Sequence, residues 1–357
     1  MLASLVLVLS NALADDDDAQ NVKAFNTAYL AYKADAEAGD YESAADNAAK
    51  ALAEGLPLFG NRTEEVRMLT FNLGLMLSLS GDEKAGFDRL EDAVALTERL
   101  HGKNAEQMVP IYEQLERIAG NLGRSRDQRA YAKREVALTT RYFGRRSPEL
   151  ADAALRAGLA YESANPKEAA KYFERAYSAA STEADPDGRI RRRSAAALGS
   201  MAYETDDLKE AEAWLLRAID ELSPDRPEMD DVEFRTRRQL VGLFERTGRG
   251  DLATEHCVAV GVYRPAKEAG SMQLLYTGEG PMYPENAILR NRTGTVVTRF
   301  NIDADGRVHD PELVSGGREF GDFMLDRVME FRFAPQVLDD QPVVTEGFEF
   351  TTNFDID

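Results

Sequence analysis

The sequence predicts a multidomain protein in which an all-α solenoid of helical hairpins is followed by a small α+β domain. Two observations support this prediction. Small residues, mostly glycine, recur every 42 residues as far as about residue 264, and an alternating apolar pattern with turn residues replaces them near the C terminus. With 357 residues and 43% hydrophobic content, the chain is large enough to form more than one core.

A 42-residue repeat organises the chain from about residue 22 to residue 264. Its two series are Gly39, Gly81, Gly123 and Asn165 at the first position, and Gly60, Gly102 and Gly144 at the second. Because glycine and asparagine adopt a left-handed backbone at little cost, the first series suits the C-terminal cap of the first helix in each hairpin. About six units are predicted, and only stacked neighbours would bury a continuous core.

Stretches such as GDYESAADNAAKAL (39–52) and DDLKEAEAWLLRAI (206–219) resemble the tetratricopeptide (TPR) family, over about 240 residues. The resemblance implies that the first helices line a concave groove that recruits another protein. The residues that it places in or near this groove are Phe71, Leu75, Arg117, Leu155, Leu159, Met201 and Leu243. For the apolar members the alternative is a core position between hairpins, because apolar residues at helical spacing are usually buried.

The first 14 residues have the pattern of an export signal. An apolar run from Leu2 to Leu9 is followed by Ala12, Leu13 and Ala14 in an A-x-A arrangement before four aspartates, although no positive charge precedes the run. We expect cleavage after Ala14, an acidic mature N terminus at 15–21 and a periplasmic location. The alternative is a partly buried N-terminal helix. The run is too short to span a membrane.

Composition argues against nucleic acid, lipid and catalytic roles. The net charge is −20 and the sequence pI is about 4.7, so nucleic acid and anionic lipid would be repelled, and proteins are the expected partners. The histidines at positions 101, 256 and 309 are far apart, Cys257 is the only cysteine, and catalytic motifs are absent. DADG (303–306) begins like a calcium loop, but position twelve is Val314. We therefore expect no enzyme, no cofactor and no metal site.

The C-terminal segment predicts a three-stranded antiparallel sheet and a helix after a linker at 265–280. TVVTRFNI alternates as a strand with one buried face, DADG supplies a turn, and RVHDPELV continues as a second strand interrupted by Pro311. Residues 318–331 carry an apolar stripe at helical spacing. VTEGFEFTTNF (344–354) alternates again as the third strand.

PMYP (281–284), GTVVTRFNIDADGRV (294–308), FRFAP (331–335) and the aromatic last strand resemble the C-terminal domain of the TonB energy transducers. The resemblance covers 281–357 and implies contact with outer-membrane receptors through Tyr283 and Pro284, together with strand addition at Thr351, Thr352, Asn353 and Phe354. The alternative for Tyr283 and Pro284 is a cap on the short helix ENAILR. The segment 274–357 departs from the family in its net charge of −9 (16 acidic, 7 basic), and no proline-rich spacer precedes it.

Two functions are compatible with this organisation. The first is a periplasmic TonB-like protein that takes part in outer-membrane transport and binds one partner at the terminal domain and another in the TPR groove. The second is a non-enzymatic periplasmic TPR scaffold unrelated to energy transduction.

Overall fold

A computed structural model describes residues 16–181, 185, 187–222, 228–263, 272–280, 282–339 and 341–355. The chain divides into two compact units, the first ending at Ala184 and the second beginning at Asp185. The expected export signal, residues 1–14, lies outside the described residues. Among the described residues, no helix has the length and apolar character needed to cross a membrane.

The first unit is a series of antiparallel helical hairpins in which each helix packs against the next. Its helices are α1 (Asp16–Ala38), α2 (Tyr41–Phe59), α3 (Glu64–Leu79), α4 (Glu83–His101), α5 (Met108–Asn121), α6 (Ser125–Phe143), α7 (Pro148–Tyr161) and α8 (Pro166–Ala179). The hairpin turns follow the predicted spacing, since Gly39, Gly81 and Gly123 have φ values of +78°, +98° and +69°.

Asn165 departs from the series of cap glycines. We predicted it as a C-terminal cap, but its φ is −153° and its side chain accepts a hydrogen bond from the Glu168 N–H at the start of α8. It is therefore an N-cap, which an asparagine side chain serves as well as a left-handed turn. Asp40 and Asp82 play the same role for α2 and α4, one residue after their glycines.

Glycines inside the hairpins allow close packing of paired helices. A Cβ atom at Gly158 in α7 would lie 2.5 Å from the ring of Phe173 in α8. A Cβ atom at Gly74 in α3 would lie 2.8 Å from Leu90 in α4. Gly74 and Gly158 are 84 residues apart, which is twice the repeat period, so small residues in register with the repeat also occur at helix contacts.

The second unit contains two further hairpins and the C-terminal domain. The hairpins are α9 (Arg189–Glu204) with α10 (Leu208–Asp220) and α11 (Asp231–Arg246) with α12 (Gly250–Tyr263). The domain consists of β1 (Leu274–Tyr276), α13 (Glu285–Leu289), β2 (Gly294–Ile302), β3 (Val308–Ser315), α14 (Arg318–Val328), β4 (Arg332–Phe333), β5 (Gln336–Leu338), β6 (Gln341–Val343) and β7 (Thr345–Phe354).

The predicted sheet is confirmed. Its strand order is β3-β2-β7, all antiparallel, and α14 packs on β2 and β3. The core under it is aromatic and includes Phe300, Phe331, Phe333 and Phe354. Pro311 does not interrupt the second strand: β3 runs through it, with Asp310 at φ +49° and shifts in its register with β2.

Two short strand pairs were not predicted. β1 pairs with β4, and β5 pairs with β6. β1 lies within the segment that we expected to be a linker, where Leu275 is buried and packs with residues of α11 and α12. That part of the segment is therefore integrated into the second unit.

Arg332 connects the C-terminal domain to the last hairpin through hydrogen bonds. Its side chain is 1% exposed, and its guanidinium donates hydrogen bonds to Glu245 in α11, to the Thr254 hydroxyl in α12 (2.7 Å) and to the Asp305 carbonyl (2.9 Å). Asp305 belongs to the turn between β2 and β3. Two helices and the sheet are thus joined through one buried cation.

Candidate protein-interaction surfaces

The outer edge of β7 is the most regular free strand edge of the C-terminal domain. β7 pairs with β2 in seven consecutive positions, from Gly294↔Phe354 to Phe300↔Phe348. No other strand of the described structure pairs with β7, so alternate N–H and C=O groups along it face away from the sheet. Such an edge can accept a strand from another protein.

The opposite edge, on β3, is less suited to strand addition. Pro311 has no N–H group, and the pairing of β3 with β2 shifts register twice. Asp310, next to this proline, has a left-handed backbone with φ +49°. A proline and irregular pairing are features that protect an edge strand from a partner.

The side chains of β7 alternate between two environments. Phe348, Phe350 and Thr352 are half-buried, whereas Glu349, Thr351 and Asn353 are exposed. Two of the exposed side chains are held by β2, because Glu349 accepts from Arg299 (2.6 Å) and the Asn353 Oδ1 atom accepts from the Thr295 hydroxyl (3.0 Å). An added strand would therefore meet an apolar row on one face and a polar row on the other.

Phe354 and Tyr283, both predicted to contact a partner, are brought together by the fold. Phe354 is buried and stacks on Phe320 with ring centroids 4.5 Å apart. The Tyr283 ring meets Phe354 edge-on at 5.2 Å, and its hydroxyl donates to the Arg292 carbonyl. Phe354 is therefore an anchor for the end of β7, and only the half-exposed part of Tyr283 is open to a partner.

Pro284 begins α13. Its carbonyl accepts hydrogen bonds from the N–H groups of Ala287 (3.0 Å) and Ile288 (3.1 Å). Pro284 thus has the capping role that the sequence offered as an alternative, whereas Tyr283 packs beside Phe354, the last residue of β7.

A second candidate surface lies in the first unit and is called here the α3–α5 groove. It has a volume of about 960 Å³. Its apolar floor is formed by Phe71, Leu75, Leu79, Val109, Pro110 and Phe143. Its polar rim includes Glu106, Glu113, Gln114, Arg117 and Glu149. The residues come from α3, α5, the segment before α5, and the facing ends of α6 and α7.

The structure brings together three of the seven predicted groove residues. Phe71, Leu75 and Arg117 line the α3–α5 groove. The other four do not line it: Leu155 and Leu243 are buried in helical cores, Leu159 is exposed on α7, and Met201 is partly exposed on α9. Pro110, Phe143 and the three rim glutamates were missed. Glu113 occupies the repeat position of Phe71 and Leu155, 42 residues from each, but it is not apolar, and the others lie at different positions of the repeat.

A buried ionic cluster lies beside this groove. Arg156 in α7 forms ion pairs with Glu135, Asp152 and Glu116, the last at 3.4 Å. Burial outweighs the attraction of the guanidinium and raises the pKa of Glu135 to about 8. Glu113 on the groove rim adds to this effect because its negative charge opposes ionisation of Glu135. Among the described residues, no group of three metal-binding side chains is placed to hold an ion.

Residues 279–356 match the family of the Gram-negative bacterial TonB protein C-terminal. This match confirms the resemblance drawn from the PMYP, DADG and FRFAP segments. The chain therefore combines helical-hairpin repeats with a segment that matches the TonB C-terminal family.

Solved structures that are similar to the chain include proteins with tetratricopeptide or TPR-like repeats. A kinesin light chain with TPR-like repeats from Podosopora anserina is 13% identical with a TM-score of 0.47, covering 55% of this chain and 93% of that one. The protein pilF of Pseudomonas aeruginosa is 13% identical with a TM-score of 0.45, covering 70% and 95%. A tetratricopeptide repeat protein from Parabacteroides merdae is 16% identical with a TM-score of 0.45, covering 70% and 82%. No curated protein sequence matches the chain.

Proposed function

We propose that this protein is a periplasmic TonB-like interaction protein that works with outer-membrane transport. In this proposal the terminal domain engages a receptor or another periplasmic protein by adding a strand at β7, and the α3–α5 groove recruits a second protein. The observation that carries the proposal is the unpaired edge of β7, which is regular over seven positions and lies in a TonB C-terminal domain.

Strand addition suits this domain because it depends on main-chain hydrogen bonds. An added strand would satisfy the outward N–H and C=O groups of β7, whatever its side chains. The half-buried Phe348 and Phe350 would gain further cover from apolar side chains of the partner. The acidic character of the domain therefore does not prevent recognition, because these contacts do not depend on the charge of the partner.

Paired proline substitutions test the use of this edge. Neighbouring residues of an antiparallel strand alternate in the direction of their N–H groups, so one of Thr351→Pro and Thr352→Pro removes an outward N–H and the other removes an N–H bonded to β2. The variant that keeps the wild-type melting temperature is the one altered at the outer edge. We expect this variant to lose binding of the partner at the β7 edge.

Binding of a partner is measured by crosslinking in cells of the bacterium that encodes the protein, with a photo-crosslinking amino acid in place of Asn353. A matched probe at Glu312 on β3 serves as the control edge. We expect a crosslinked partner from position 353 that disappears in the stably folded proline variant. Equal capture at both edges, or capture that survives the proline, would refute strand addition at β7.

A scaffold unrelated to transport is the second candidate. It is favoured by the net charge of −9 over residues 274–357 and by the use of Tyr283 and Pro284 in internal packing. The stably folded proline variant separates the two candidates: it should abolish uptake of an outer-membrane cargo under the first and leave uptake unchanged under the second. Deleting the whole domain is a poorer test, because it also removes Arg332 and leaves its hydrogen-bond acceptors Glu245 in α11 and Thr254 in α12 exposed.

A further inference from the structure

We propose that the α3–α5 groove binds a cationic amphipathic segment of its partner, with apolar side chains on the floor and lysine or arginine at the rim. The inference rests on the proposed function, which assigns protein recruitment to this groove, and it adds the chemistry of the partner.

The floor of the groove carries apolar side chains that are open to water. Leu79 is 41% exposed and Phe143 is 39% exposed, and both line the same groove as the half-buried Leu75. Covering such surface is favourable by about 25 cal/mol per Å². A ligand for this site must therefore bring apolar side chains.

The rim of the groove is acidic. Glu106 and Glu149 form no ion pair with any described residue, and Glu113 lines the same groove and acts electrostatically on the buried Arg156. Among the described residues that line the groove, Arg117 is the one cation, and it donates to Gln114 (3.1 Å) and Ser78 (3.2 Å). Three carboxylates against one guanidinium leave the rim with a net charge of −2, which favours a positively charged ligand.

The exposed lining of the groove favours a protein segment over a small molecule. Its volume of about 960 Å³ is at the upper end of the range for small-molecule sites, and exposed residues such as Pro110 and Glu149 line it. A second copy of this chain is a poor occupant, because two molecules of net charge −20 repel each other.

Two labelled helical peptides provide the probe. They share the same leucine and phenylalanine positions, and every polar position is lysine in one and glutamate in the other. Binding to the full chain is measured by fluorescence anisotropy. A benzophenone placed at one apolar position of the peptide, followed by mass spectrometry, reports whether bound peptide contacts the segments around Leu79 and Phe143.

The test variant is E106Q/E113Q/E149Q, and the matched control is E42Q/D46N/D88N, which removes three exposed carboxylates from α2 and α4 outside the groove. We expect the lysine peptide to bind, and the groove variant to weaken binding about tenfold, because each exposed ion pair contributes a factor of about two to three. The control should change binding less than twofold. Unchanged melting temperatures establish that both variants are folded.

Three results would overturn the inference. The first is equal weakening by both variants, which would mean that the net charge alone attracts the peptide. The second is equal binding of the glutamate peptide, and the third is crosslinking outside the groove. Failure of the proposed function looks different: a photo-crosslinker at Phe143 in cells would then capture no protein at all, whereas capture of a partner through an acidic segment would refute only the charge assignment.

Discussion

Replacing Arg332 with methionine should destabilise the second unit by about 3 kcal/mol. Methionine keeps part of the side-chain volume but leaves Glu245, the Thr254 hydroxyl and the Asp305 carbonyl without their common donor. Removing one partner of a buried ion pair costs about 3–5 kcal/mol. The low end applies because the Glu245 side chain is 20% exposed and keeps a second cation, Arg307, at 3.8 Å.

Urea unfolding followed by tryptophan fluorescence measures this loss. Trp214, the only tryptophan, lies in α10 and therefore reports on the second unit. With a slope of about 2 kcal/mol per molar urea, the midpoint should fall by about 1.5 M. Arg307→Met is the matched control, since this arginine is 39% exposed and its ion pair with Glu245 is long, and it should cost less than about 1 kcal/mol.

A double-mutant cycle isolates the Arg332–Glu245 pair. Glu245→Gln alone leaves Arg332 as a buried charge without its counterion, so the double variant should lose less than the sum of the two single variants. Additive losses, or a cost below about 1 kcal/mol for Arg332→Met, would show that this arginine does not hold the domain to the hairpin.

Three further variants test the packing of the first unit. Asn72→Leu should raise the free energy of unfolding by about 1 kcal/mol. The Asn72 side chain is 1% exposed, and its amide N and O have no hydrogen-bond partner within the described residues. A lower unfolding midpoint in urea would contradict this prediction. Gly158→Ala should cost about 1–3 kcal/mol through overlap with Phe173, and an unchanged thermal midpoint would refute the close contact. Glu135→Gln should remove a pH dependence of the free energy of unfolding. Folding raises the pKa of Glu135 from 4.5 to about 8, so the wild type holds an extra proton between these values and loses stability as pH rises, by up to about 1.4 kcal/mol per unit. The free energy of unfolding of the wild type minus that of the variant should be smaller at pH 8 than at pH 5. An equal difference at the two pH values would refute the raised pKa of Glu135.

The helical repeat and the main sheet could be predicted because both have a long sequence period. A 42-residue spacing of glycines is visible over several units, and Gly39, Gly81 and Gly123 all adopt the left-handed backbone that only the turn requires. β1 could not be predicted in the same way. A strand of three residues shows no alternation, and its burial depends on α11, which lies earlier in the chain.

The candidate surfaces were predicted only in part, for a similar reason. The alternation of Phe348 and Phe350 with Glu349 identifies the two faces of β7 from sequence alone. Helical spacing, in contrast, shows that Leu155 and Leu159 belong to one face of α7, but it does not show which of them the neighbouring helices cover. The role of Arg332 could not be predicted from the sequence either, because its hydrogen-bond partners Glu245 and Thr254 lie 87 and 78 residues away in sequence.

The two candidate surfaces select partners by different physical means. Strand addition at β7 relies on main-chain groups, which every protein segment offers, so it provides affinity with little discrimination by charge. The rim of the α3–α5 groove discriminates by sign, because exposed carboxylates favour one charge and oppose the other at little cost in stability. If both proposals hold, raising the ionic strength should weaken binding at the groove and leave binding at β7 almost unchanged, since screening acts on exposed charges and not on main-chain hydrogen bonds. Equal salt dependence at the two surfaces would mean that the overall charge of −20, and not the local geometry, governs association.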